Sequence, residues 1–216
     1  MTARRAPAGG APRTRVRSRA KRLGIFGGTF DPPHCGHLAL AEWARVELAL
    51  DAVWFVPAGM PPHKRAGSAT AARHRLAMTR LAIRGNPAFK VSPIEFRRRG
   101  PSYTADTVRA FAAEHPGARL HLLMGADTYA TFGSWREPDA IAAAATIVVA
   151  LRPGAERPRG RARGARSNVT WLANPGLEVS SSSLRARAAR GRSLRYLVPD
   201  AVERYIARHE LYGKRA

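Results

Sequence analysis

Two histidines stand three residues apart in GIFGGTFDPPHCGHL, residues 24–38, behind a strand-like apolar start, a glycine pair and two prolines. Gly27 and Gly28 allow a sharp turn and close approach to a ligand, Pro32 and Pro33 stiffen the loop, and Gly36 relieves crowding beside a helix that starts near His37. Such a strand–loop–helix turn presents main-chain N–H groups to an anion, and the imidazoles of His34 and His37 add donors on the same side. The pair could instead cap the helix. A zinc site is a third reading, with no cysteine cluster and no metalloprotease-like glutamate to support it. A second segment, VSSSSLR at residues 179–185, offers hydroxyls and N–H groups at a helix start, with the Arg185 fork one turn further in. Arg187, Arg190 and Arg192 read as the solvated face of that helix. Each segment could hold a phosphate, and each could simply cap its helix.

The elements that must position them alternate along the chain. Residues 23–26, 52–56, 90–94, 120–124 and 146–151 read as short buried strands, and residues 37–50, 71–84, 104–115 and 139–145 as helices between them. Ser102 or Thr104 marks one helix start and Pro138 another, while Gly85 and Gly117 follow two helix ends. Alternation of this kind predicts an α/β fold, a doubly wound parallel sheet with helices on both faces. Two further helices, residues 183–190 and 199–211, follow at the C-terminal side. Ligands in such sheets bind beyond the carboxyl ends of the strands, where the histidine loop would lie.

The formal charge of +22 over 216 residues would ordinarily suggest a nucleic-acid partner. Its distribution argues otherwise. Residues 1–22 hold eight Arg and Lys with no acid, and residues 152–166 hold six Arg against Glu156, both in settings rich in Pro, Gly and Ala that have little to bury. They are expected to be a disordered leader and a basic loop insertion flanking one domain over residues 23–213. The leader is also Arg-rich like a transit peptide, but Pro7, Gly9, Gly10 and Pro12 interrupt any amphipathic helix. Cys35 is the only cysteine and no apolar run approaches a membrane span, so the expectation is a cytoplasmic protein with no membrane partner. The sequence leaves a homo-oligomer open.

GGTFDPPHCGHL resembles the signature of the HxGH nucleotidyltransferases, and VSSSSLR resembles their late ISSTxIR-like segment, in the same order. PPHK at 61–64, GNPAF at 85–89, GPSYTADT at 100–107, GADTYATFGSW at 125–135 and the ending YIARHELYG resemble the bacterial nicotinate-nucleotide adenylyltransferase family. Phosphopantetheine adenylyltransferase shares the two phosphate motifs and is the enzymatic alternative; a basic nucleic-acid-binding module is the non-enzymatic one.

The resemblance implies a Rossmann-like fold that joins ATP and nicotinate mononucleotide, with Mg²⁺, to give nicotinate adenine dinucleotide and pyrophosphate. It implies a triphosphate held by His34 and His37, a catalytic set of His34, His37, Lys64 and Arg185 that positions the reactants and stabilises charge, a nucleotide site lined by Gly28, Thr29, Phe30 and Gly125 with Asp127 at the ribose, and completion of that site by Ser181, Ser182 and Arg185. It also implies that Trp135 stacks on the pyridine ring, that the backbone around Thr104 and Arg136 receives the nicotinate carboxylate, and that Lys64 serves the acceptor as well. No resident metal is implied, and no specific nucleic acid. Many relatives carry Tyr where Arg136 stands and Asn where Ala58 stands.

Overall fold

The computed structural model describes residues 19–60, 69–151, 168–174 and 176–213. Six strands form one sheet in the order β3-β2-β1-β4-β5-β6. They are β1 (Arg22–Gly28), β2 (Ala52–Pro57), β3 (Phe89–Val91), β4 (Arg119–Gly125), β5 (Thr146–Leu151) and β6 (Val169–Ala173), and every neighbouring pair is parallel. This is the doubly wound order, with its reversal between β1 and β4.

The strands are apolar on both sides because both faces are covered. Ile25, Leu122 and Ile147 point into one core with Ala105, Val108 and Phe111 of α3 (Thr104–Glu114) and Ile141 of α5 (Pro138–Ala144). Their chain neighbours Phe26, Leu123 and Val148 point the other way, into a core with Ala41 and Ala44 of α1 (Cys35–Glu47). A third cluster joins Met78 and Ala82 of α2 (Ala72–Ala82) to Leu184 of α6 (Ser181–Ala188) and to Val202 and Ile206 of α7 (Asp200–Arg208). The C-terminal helices thus pack on α2, and the start of α6 reaches the loop at the carboxyl end of β1. Between β4 and α5 lies the short α4 (Ala126–Ala130) and a single 3-10 turn, Phe132–Ser134.

The strand expected over residues 90–94 is shorter: β3 ends at Val91, and Ile94 opens a 3-10 helix, Ile94–Arg97, behind Pro93. Proline there removes the donor that a further ladder bond would need. β6 was not expected at all. It is the edge strand, only partly buried along most of its length, so its apolar pattern is weak. Arg22, counted by the sequence with the leader, is the first residue of β1; its main-chain N–H donates to Asp51 at 2.7 Å. Leader residues 1–18, the PPHK segment with Lys64 and the insertion at 152–166 lie outside the described residues.

Candidate active site

A cavity of about 900 Å³ opens beyond the carboxyl ends of the parallel strands. One flank carries Gly28, Thr29, His34, His37, Ser180 and Ser181. The other carries Ala58, Glu95, Thr104, Trp135 and Arg136, with Gly125 and Asp127 between. The N-termini of α1, α3 and α6 border it, as they must in a sheet whose strands all feed helices at this edge, and their main-chain N–H groups favour an anionic ligand.

The histidine loop is built from behind. Phe30 has φ +50, a left-handed conformation that costs an aromatic residue about 1–2 kcal/mol, and its burial against Phe26, His37 and Phe55 offsets that cost. Asp31 is 1% exposed and accepts hydrogen bonds from the main-chain N–H of Thr70 at 3.1 Å and the hydroxyl of Tyr212 at 2.7 Å. The late serine segment holds the same loop. Ser181 Oγ donates to Pro32 O at 2.9 Å and Arg185 Nη1 to Asp31 O at 2.8 Å, so the histidine loop and the serine segment, about 150 residues apart, are physically joined. Ser180 caps α6, its Oγ accepting from the Ser183 N–H at 3.1 Å.

The two imidazoles lie against each other at the start of α1, and Nδ1 of His37 accepts the main-chain N–H of His34 at 3.2 Å. Capping is therefore one thing His37 does, and it leaves Nε2 to carry the proton of the neutral ring. Burial holds the His34 pKa down at about 4. Burial, with the neighbouring His34 as a second cause, pushes His37 well below the ordinary histidine value. Both rings are neutral donors and acceptors near pH 7 in the free protein, and Nδ1 of His34 is buried without a hydrogen-bond partner. Gly36 explains itself at this contact: a Cβ there would sit 3.1 Å from His34 Nδ1 and 3.3 Å from Leu177 O.

Most residues named from the sequence meet at this cavity: Gly28, Thr29, His34, His37, Thr104, Gly125, Asp127, Trp135, Arg136 and Ser181 line it. Three are placed otherwise. Phe30 is a core residue beneath the loop, 1% exposed. Ser182 is exposed and accepts from Arg185 Nη2 at 3.2 Å, and Arg185 spends its fork on Ser182 and the Asp31 carbonyl. Arg136 sits over the Tyr103 ring at 4.9 Å. Sequence reasoning passed over Glu95 and Asn174, and it named Ser102 only as a helix start; Ser102 lines the cavity, while Thr104 begins α3 with Tyr103 at its N-cap. Asn174 follows β6, the unexpected strand, and its position at a strand's carboxyl end was the signal that the missed strand concealed.

No helix among the described residues is long and apolar enough to cross a membrane, and no group of three or more His, Cys, Asp or Glu among them could hold a metal ion.

Residues 25–187 match the Cytidylyltransferase-like family. A protein of Thermomicrobium roseum is 48% identical over 88% of this chain and 91% of its own length, and one of Salinibacter ruber is 44% identical over 88% and 97%. One of Geobacter sulfurreducens is 43% identical over 89% and 98%; all three are named "Probable nicotinate-nucleotide adenylyltransferase". Solved structures of Plasmodium falciparum nicotinic acid mononucleotide adenylyltransferase, complexed with APC and with NaAD, share the fold at TM-scores of 0.72 and 0.74 and 18% and 19% identity, each covering 89% of this chain and 97% of the other. With its cavity, its paired phosphate motifs and these relatives in view, the chain belongs to the nicotinate-nucleotide adenylyltransferase family.

Proposed function

We propose that this chain transfers the adenylyl group of ATP to nicotinate mononucleotide, giving nicotinate adenine dinucleotide and pyrophosphate in NAD biosynthesis. The observation that supports the reading is one continuous cavity lined by the starts of three helices and two histidines together with Trp135. A phosphate oxygen of the mononucleotide attacks the α-phosphorus of ATP in line. The bond from that phosphorus to the bridging oxygen breaks, and pyrophosphate leaves with the electron pair. No protein nucleophile is needed; alignment and charge stabilisation supply the rate.

On this reading His37 donates from Nε2–H to a phosphate oxygen, and the unpartnered Nδ1 of His34 takes a proton as the polyanion raises its basicity. Gly28, Thr29, Gly125 and Asp127 line the nucleoside side, Ser181 and the start of α6 complete the phosphate side, and Trp135 stacks on the pyridine ring. The N–H groups at Thr104 and Arg136 receive the carboxylate, and Lys64 serves the phosphates. Mg²⁺, supplied with ATP, would be held by phosphates and water more than by protein side chains, and would neutralise part of the phosphate charge. A cytoplasmic setting belongs to the same proposal. Incubating the pure protein with ATP, Mg²⁺ and a panel of mononucleotides, followed by mass spectrometry, tests it: nicotinate adenine dinucleotide is the expected product, and dephospho-coenzyme A from phosphopantetheine alone would replace the reading.

A further inference from the structure

Arg75, on α2, does not itself line the cavity; its side chain is 2% exposed and bonded to four main-chain carbonyls behind the cavity wall. Nε donates to Thr70 O at 2.9 Å and Nη2 to Gly59 O at 3.0 Å. Nη1 donates to two carbonyls at once, Thr29 O at 3.0 Å and Ala58 O at 2.5 Å. Thr29 and Ala58 both line the cavity, on the adjacent loops that follow β1 and β2, and the Ala58 N–H also donates to Gly28 O at 2.8 Å. One nitrogen thus ties these two loops a second time, from behind the cavity wall.

The connection continues on the acceptor side. The N–H groups of Gly59 and Met60 donate to Ser102 Oγ at 3.1 and 3.2 Å, and the Ser102 N–H returns to Met60 O at 2.9 Å. Ser102 stands two residues before Thr104, where α3 begins. Gly59 permits this close fit, since a Cβ there would lie 2.5 Å from Glu95 O. A hydrogen-bonded path therefore runs from the phosphate loop through Arg75 and Gly59 to the start of the helix that faces the acceptor. Burying a guanidinium carries a desolvation cost that a methionine of similar length would avoid. The planar fork offers in exchange a fixed spacing between its acceptors that a flexible ammonium cannot reproduce.

We propose that Arg75 is a positioning residue that sets the distance between the ATP loop and the acceptor pocket, and so the in-line alignment of the two substrates. The proposal rests on the adenylyl-transfer reading. A misplacement of about 1 Å between reacting groups can cost about 10²-fold in rate without altering how either substrate binds alone.

The test is Arg75→Lys, with kcat measured alongside the Kd of ATP alone and of nicotinate mononucleotide alone by calorimetry, whose stoichiometry also counts the competent protein. Expected is a kcat per competent site about 10²-fold lower, with both Kd values within about threefold. Ser102→Ala cuts the same path at its far end and should show the same split, about tenfold in kcat. Because the two act through one path, the double variant should lose no more than the larger single loss. Unchanged kcat, a loss confined to one Kd, or fully additive losses would each overturn the proposal. Should Arg75→Lys fail to fold, the kcat-against-Kd split of Ser102→Ala decides alone. Absence of wild-type turnover would remove the adenylyl-transfer reading, and this proposal with it.

Discussion

The rings of His34 and His37 stack with centroids 3.6 Å apart and planes inclined by 27°. Two imidazolium ions cannot share that spacing cheaply in a desolvated site, so the free protein keeps both rings neutral. Stability follows from this. His34 has a folded pKa of about 4, below its unfolded value near 6.5, so the unfolded chain binds more protons as the pH falls. The contribution is fully present above about pH 6.5 and is lost progressively down to about pH 4, by at most about 3 kcal/mol for this one group. Urea unfolding of wild type and His34→Gln across pH 4–7 checks it: the variant's stability should be the flatter of the two. Equal slopes would mean that His34 does not titrate in this window.

His37 combines a cap with a donor, and the two can be separated by size of effect. Losing the contact to the His34 N–H should cost about 1 kcal/mol of stability, as for other helix caps. Losing a preorganised donor to the transferring phosphate should cost about 10²–10³ in kcat. His37→Ala should therefore melt only a few degrees lower and still be nearly inactive. A variant that melts lower but turns over normally would leave His37 as a cap alone.

Tyr212 reaches back across the chain to donate its hydroxyl to Asp31 at 2.7 Å, beneath the histidine loop. Burial, followed by the neighbouring carboxylate, pushes its pKa far above the ordinary tyrosine value, so it remains a donor throughout the working range of pH. Tyr212→Phe would leave the Asp31 carboxylate buried with one fewer donor. The expected loss is about 1–3 kcal/mol in urea unfolding, with a raised KM for ATP and an unchanged KM for the acceptor. An unchanged Tm and KM would show that the tether contributes nothing to the loop.

Much of this site was legible because its residues lie in short contiguous runs. The strand–glycine–histidine run had to sit at a strand's carboxyl end, and the alternation of strands with helices required a parallel sheet. What could not be read was which groups the fold would set against each other. Arg185 looks like a phosphate fork in sequence, yet it grips the Asp31 carbonyl, because only the fold brings that carbonyl within 2.8 Å. Arg75 stands in a plain helical stretch, and nothing local tells that its fork spans the loops after β1 and β2. Long-range pairings of this kind carry no periodic signal. Edge strand β6 escaped for the opposite reason: half-exposed, it needs no regular apolar pattern.

The acceptor side offers the sharpest check on substrate identity. Donors that match both oxygens of a carboxylate are left mismatched by an amide, whose NH₂ faces them in place of one oxygen. At about 1–3 kcal/mol per unsatisfied group, nicotinate mononucleotide should be preferred over nicotinamide mononucleotide by about 10² or more in kcat/KM. Trp135 is half-buried against Phe132, with ring centroids 5.4 Å apart, and it lines the cavity. Stacking reads the ring and not its substituent, so Trp135→Ala should raise KM for both mononucleotides alike and leave KM for ATP unchanged. Arg136 behaves differently. Its guanidinium lies over Tyr103 at the cavity wall and pairs with Glu137 Oε1 at 3.3 Å; on the proposed reading the charge that this pair leaves at the wall favours a carboxylate over an amide. Arg136→Ala should therefore lower the preference by about fivefold to tenfold, acting on the acid alone, a size set by a partly exposed charge pair of about 1 kcal/mol. Steady-state kinetics with both mononucleotides read all three effects together. Equal use of the two by the wild type would refute the carboxylate site, and a Trp135 effect on ATP would move the tryptophan to the other flank.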